Sequence, residues 1–280
     1  MKKIKIVTDS TVDLSNEIIE KYDLEVVPLS IHIDGVTYVD RVDITPVEFI
    51  QKMGQASELP KSSQPPTGVF LELYDRLADE GYEIISIHMT GGMSGTVQSA
   101  ETAAQMSKAK VTVIDSRFIS KALSFQVIEA AKMALNGKSS EEIIERINEV
   151  RTATKLFVVV DTLENLVKGG RIGKGKGLIG SLLHIKPIAS LEGGVYNPVH
   201  SVRSHTQVVK YLAKQFAEDV KGKTIKGVGI AHAEGQELAN KLKNLIFEMT
   251  GYDKVEIDYT TPIVSTHTGA GAIGFMYYFE

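Results

Sequence analysis

Cysteine is absent from the 280 residues, and so is tryptophan. Without cysteine there is no disulfide framework, thiolate metal site or thiol nucleophile. A basic surplus is also missing: 31 Lys+Arg stand against 35 Asp+Glu, a formal net charge of −4. A dedicated nucleic-acid binder needs the opposite balance. No apolar run approaches the roughly 18 to 20 residues that span a bilayer. The basic start MKKIKIVTDSTVD carries too short an apolar stretch for a signal peptide, so a cytoplasmic address is expected. What is present is ordinary for a globular chain: 43% hydrophobic and 24% charged residues, with 24 glycines.

Apolar β-branched runs alternate with amphipathic stretches. Strands are expected at 4–7, 25–33, 83–88 and 111–114, and helices at 15–22, 94–107, 120–135 and 139–150. Asp34-Gly35 marks a hairpin, Thr45-Pro46 opens a helix, and 61–66 is a Pro-rich loop with Thr67 capping the next helix. A second series follows, with strands at 156–160, 185–191, 195–201, 226–231 and 254–259. Its helices are expected at 163–168, 204–219 and 236–250, a Gly/Lys loop at 169–180, and a buried strand within 271–279. The order predicts an α/β fold in two α/β domains. Residues 1–153 hold a mostly parallel sheet flanked by helices, and residues 154–280 a mixed sheet with helices, the ligand cleft lying between or beneath their loops.

Four loops combine Gly, Ser and Thr: Thr8–Thr11, Ser62–Pro65, Thr90–Thr96 and His267–Gly271. Ligands of open α/β sheets bind beyond the carboxyl ends of strands, where the first and third lie. Ser94-Gly95-Thr96 sets hydroxyls and free N–H groups at a helix start, a neutral cradle for an anion, although Ser94 as a plain cap is the competing reading. Gly92-Met93-Ser94-Gly95-Thr96 is also an incomplete nucleophile elbow, with His267 as its distant base. Gly170–Gly177 nearly spells a P-loop but has Gly177 where the magnesium-binding hydroxyl belongs. Lys168, Arg171, Lys174 and Lys176 concentrate positive charge there. His184, His200 and His205 lack the spacing of a helical zinc site, and Asp9 and Asp13 suit turns better than a cation, so no metal is expected.

TDST at 8–11, KSSQPP at 61–66, MTGGMSGTVQSA at 89–100, VIDS at 113–116, LENLVKGGRIG at 163–173 and HTGAGAIG at 267–274 occur in this order along the whole chain. Together they resemble the DegV family of bacterial fatty-acid-binding proteins, including the FakB subunits of the fatty acid kinase system. The resemblance implies a non-catalytic carrier with no cofactor. A long-chain fatty acid such as palmitate would lie in an apolar tunnel and be presented to a separate ATP-dependent fatty acid kinase subunit, as a step toward phospholipid synthesis. Ser62, Ser94 and His267 take the family's carboxylate positions, with Gly95, Thr96 and Thr268 beside them. Ser62 stands where Thr is common, Ala270 where Pro is frequent and Gly173 where Ser is. Arg171, Lys174 and Lys176 become the candidate kinase-docking surface, and the resemblance leaves room for transient membrane contact. No Lys or Arg lies in the four loops, so the head-group site is expected to be uncharged. The competing function is a serine-dependent lipid hydrolase or acyltransferase using Ser94 and His267. A third reading is a binder of another anionic small molecule.

Overall fold

The computed structural model describes residues 3–178 and 185–280; His184 lies outside them. In the first series, β1 (Lys3–Asp9) leads to α1 (Asn16–Lys21), β2 (Glu25–Val27), β3 (Ser30–Ile33) and β4 (Val36–Val39). Then come α2 (Pro46–Gln55), β5 (Lys61–Ser63), α3 (Thr67–Asp79), β6 (Tyr82–His88), α4 (Thr96–Met106), β7 (Val111–Asp115), α5 (Ser120–Leu135) and α6 (Ser140–Ala153). The order β2-β1-β6-β7 forms an all-parallel sheet. Its inner strands are buried almost without a break, at residues 5–9 of β1 and 83–88 of β6, because helices cover both faces.

The run expected as one strand at 25–33 is two. Pro28 has no N–H for a ladder, and the chain leaves the parallel sheet there. β3 instead starts a three-stranded antiparallel sheet, β4-β3-β5, the hairpin turn at Asp34-Gly35 joining its first pair. That sheet recruits the start of the Pro-rich segment: Ile31 faces Ser62, and Ser30 faces Ser63. Thr67 is the first residue of α3 rather than its cap, and the flanking Pro66 gives no side-chain bond.

The second series runs β8 (Thr154–Val159), α7 (Glu164–Lys168), β9 (Lys186–Ser190), β10 (Asn197–Val202), α8 (His205–Asp219), β11 (Ile225–His232), α9 (Gln236–Thr250), β12 (Glu256–Tyr259), α10 (Pro262–Thr268) and β13 (Ile273–Phe279). Its sheet order is β10-β9-β8-β13-β11-β12, with only β11 and β12 parallel. β13 is thus an inner strand, which explains the unbroken apolar run at 275–278. The Gly/Lys segment is no open loop: Gly173–Leu178 forms a 3-10 helix. Nor is His267-Thr268 a loop, since both residues close α10, which ends at Gly269 with φ +75°.

The expected junction at 153/154 falls where α6 meets β8, with no spacer between them. The largest apolar cluster crosses it. Leu29, Ile31, Met89 and Ile119 from the first series pack with Val158, Leu166, Leu191 and Ile263 from the second. This shared core is where the cavity lies.

Candidate functional site

A cavity of about 320 Å³ opens inside the shared core, a size within the range of small-molecule sites. Leu29, Met89, Ile119, Val158, Leu166, Leu191 and Ile263 make its apolar wall. Polar groups gather on three other segments: Ser62, Ser63 and Gln64 at β5, Met93-Ser94 before α4, and His267-Thr268 at the end of α10.

The geometry of His267 decides what Ser62 offers. Its Nε2 lies 2.7 Å from Ser62 Oγ, and its Nδ1 has no hydrogen-bond partner among the described residues. Burial pushes its pKa down to about 4, with the nearby charge of Arg171 adding to the shift, so the ring is neutral near pH 7. A neutral imidazole carries one N–H. A buried N–H without a partner is costlier than an idle lone pair, which puts the proton on Nε2. Nε2–H therefore donates to Ser62 Oγ, and Ser62 retains its own hydrogen for the cavity.

Ser94 is backed in the same way. Its Oγ accepts from the Thr96 backbone N–H at 3.3 Å and lies 2.8 Å from Thr96 Oγ1. Thr96 is buried, and Ser94 is the acceptor within reach of its hydroxyl. Two hydroxyls, each supplied with a donor from behind, thus have hydrogens free for an acceptor in the cavity.

The helix start is not the cradle expected from sequence. Gly95 N–H donates to Gln64 Oε1 at 3.1 Å, and Gln64 Nε2 donates to Ser99 Oγ at 3.2 Å. Gln64 so closely covers Gly95 that a Cβ there would lie 2.4 Å from Oε1. The glycine serves this staple between β5 and α4, and its N–H is used inside the protein.

Nor is the site uncharged. Arg171 is half-buried in the cavity wall, its Nε donating to Met93 O at 2.9 Å and its Nη1 to Gly169 O at 2.5 Å. Burial lowers its pKa, but a guanidinium stays charged at any ordinary pH. Gly173 and Gly175 pack against Tyr196, whose ring also lines the cavity. Among the described residues no group of three or more His, Asp or Glu could hold a metal ion, and no helix is long and apolar enough to cross a membrane.

Comparison with known proteins identifies the family and the fold. The family described as "Uncharacterised protein, DegV family" matches residues 3–280. The chain belongs to the DegV family. A DegV domain-containing protein of Staphylococcus aureus (strain MRSA252) is 46% identical over 276 residues, 99% of each chain. Among solved structures, a DegV protein of Thermus thermophilus described by its fatty acid binding superposes with a TM-score of 0.92 at 30% identity, covering 100% of both chains. DegV of Bacillus subtilis, named a fatty acid binding protein, gives 0.89 at 30% identity, again over 100% of both.

Within this DegV fold the motif residues are distributed unequally. Ser62, Ser94, His267, Thr268 and Arg171 line the cavity, whereas Gly95 and Thr96 stand behind that wall. Thr268 Oγ1 donates to Val264 O at 3.1 Å, which commits its hydrogen to its own helix. Arg171 turns inward, away from the expected docking patch; Lys174 and Lys176 remain exposed, and Lys168 pairs with Glu164 at 2.6 Å. Thr8–Thr11 holds no cavity residue. Asp9 is consumed by Thr11 and Met89 N–H, and Asp13 accepts from Ser120 Oγ, Thr260 Oγ1 and Thr261 N–H. Gln64, Tyr196 and the inward Arg171 escaped the sequence reading. For Gln64 the signal was its place between two hydroxyl residues and two prolines, a polar side chain held on a short rigid loop.

Proposed function

We propose that this protein carries a long-chain fatty acid in the shared-core cavity and presents its carboxylate to a separate ATP-dependent kinase subunit. The observation that carries the reading is an apolar cavity ending in two hydroxyls whose hydrogens are unspent. A carboxylate is an acceptor only, so Ser62 and Ser94 match it, and Arg171 adds a charge at the same end. Hydrocarbon provides the affinity: at about 0.8 kcal/mol per buried CH₂, a sixteen-carbon tail contributes on the order of 10 kcal/mol before ordering costs. The two solved relatives described as fatty-acid binders support this assignment.

The hydroxyl arrangement also suits transfer. A bidentate arginine clamp would cover both carboxylate oxygens. Here Arg171 already spends two donors on Met93 O and Gly169 O. Lys174 and Lys176 supply exposed positive charge for docking.

Hydrolysis by Ser94 and His267 fits poorly. His267 bonds Ser62, has no carboxylate on Nδ1, and is too weak a base with its pKa near 4. Mass spectrometry of an organic extract of the protein tests the carrier reading, and one fatty acid per chain is the expected result. A ligand-free extract together with fluorophosphonate labelling at Ser94 would reverse it. The kinase step is tested by acyl phosphate formation with a fatty acid kinase catalytic subunit. Lys174→Glu with Lys176→Glu should lower turnover while the lipid stays bound, and unchanged turnover removes the docking role.

A further inference from the structure

We propose that the methyl end of the acyl chain lodges in an apolar annex behind α10, and that Gly274 on β13 sets the accepted chain length by leaving that annex open. The inference rests on the fatty-acid reading above and adds where the tail stops.

A second cavity of about 30 Å³ adjoins the first. Ile119, Val158, Val264 and Thr268 line both, so a single layer of side chains lies between them. The rest of its apolar lining combines the small Ala231, Ala272 and Gly274 with Leu156, Ile273 and Met276. The volume is about that of one water, but a buried water needs two to four polar partners. The three hydroxyls lining it have already spent their hydrogens, so the side chains offer a water no donor. Ser120 Oγ and Thr260 Oγ1 both bond Asp13, and Thr268 Oγ1 bonds Val264 O. Such a space suits hydrocarbon.

Gly274 is the telling residue. A glycine inside a strand loses more conformational entropy than other residues and often marks a place where something approaches closely. Here the usual reasons for glycine are missing. Its φ is not positive, and a Cβ would meet Met276 Cε at 3.5 Å, Met276 Sδ at 3.6 Å and Ala231 O at 3.9 Å, all ordinary contacts. The backbone would accept alanine. What alanine would remove is the open volume beside Met276, a side chain flexible enough to bound a ligand end.

The test measures affinities of the delipidated protein for a ladder of saturated fatty acids. Gly274→Ala should weaken the longest member that the wild type accepts by about fourfold for each methylene excluded, leaving shorter members unchanged. Met276→Ala should extend the accepted length. Urea midpoints of the delipidated proteins control for damage to the fold. If Gly274→Ala binds the whole ladder like the wild type, or weakens every member equally, the annex does not set length. A wild type that binds no member would overturn the carrier reading itself, a result distinct from either.

Discussion

Among the described residues, two serine–histidine pairs set a hydroxyl 2.7 Å from a histidine Nε2, and they behave oppositely. In the parallel sheet, Tyr74 OH donates to Ser86 Oγ, which meets His88, whose Nδ1 lies 3.1 Å from Asp9 Oδ2. The connectivity is that of a catalytic triad. Yet Ser86, His88 and Asp9 are each 0% exposed, and none lines the main cavity or its annex. At the cavity, Ser62 and His267 have no third partner among the described residues, and His267 Nδ1 is left idle. A completed network fixes the fold, whereas an incomplete one facing a cavity is equipped to take a ligand.

This contrast breaks most visibly under substitution. Asp9→Ala strips His88, Met89 N–H and Thr11 of their acceptor and should cost about 3 kcal/mol or more in urea unfolding of the delipidated protein. Ser62→Ala with Ser94→Ala removes the acceptors of His267 Nε2–H and of Thr96, but beside a cavity that can admit water, so it should lower that midpoint less than Asp9→Ala while weakening fatty acid binding at least tenfold, since hydrogen bonds to a charged group are worth about 1.5 to 3 kcal/mol each. An equal loss of stability in both variants would erase the distinction.

His267 sharpens it by pH. Its folded pKa of about 4 lies below the ordinary 6.5, so the unfolded chain binds the proton more readily. Its contribution to stability is complete above about pH 6.5 and is lost progressively as pH falls from there through 4. His267→Gln should flatten the stability curve across that window, as read by urea midpoints at each pH. A curve of unchanged slope would mean that burial does not hold the ring neutral. Thr268→Val should change least: it loses one bond to Val264 O within its own helix, an effect of about 1 kcal/mol or less on unfolding.

Much of the fold was readable because its strands and helices are long and periodic. β1, β6, β8, β11 and α4 to α9 lie close to where alternation and caps put them. The small sheet was not readable. β5 is three residues, Lys-Ser-Ser, with no apolar signature, and only pairing with β3 makes it a strand. The site was legible as hydroxyl-rich loops, but not the meeting of Ser62 with His267, which depends on tertiary packing. Arg171 misled for a physical reason. Flanked by glycines and lysines it reads as solvated charge, yet two backbone carbonyls, Met93 O and Gly169 O, draw it into the wall.

The 205 positions between Ser62 and His267 have a consequence for how the protein comes to be. A contact of such sequence separation closes late, because the loop entropy is lost before any bond is gained. Without α10, Leu29, Met89 and Ile119 would lose the cover of Ile263 and Val264 and leave an apolar surface open to other chains. An amphiphile that met this face during maturation would shield it and help complete the core. A ligand of that kind would be a structural element of the core as well as its occupant.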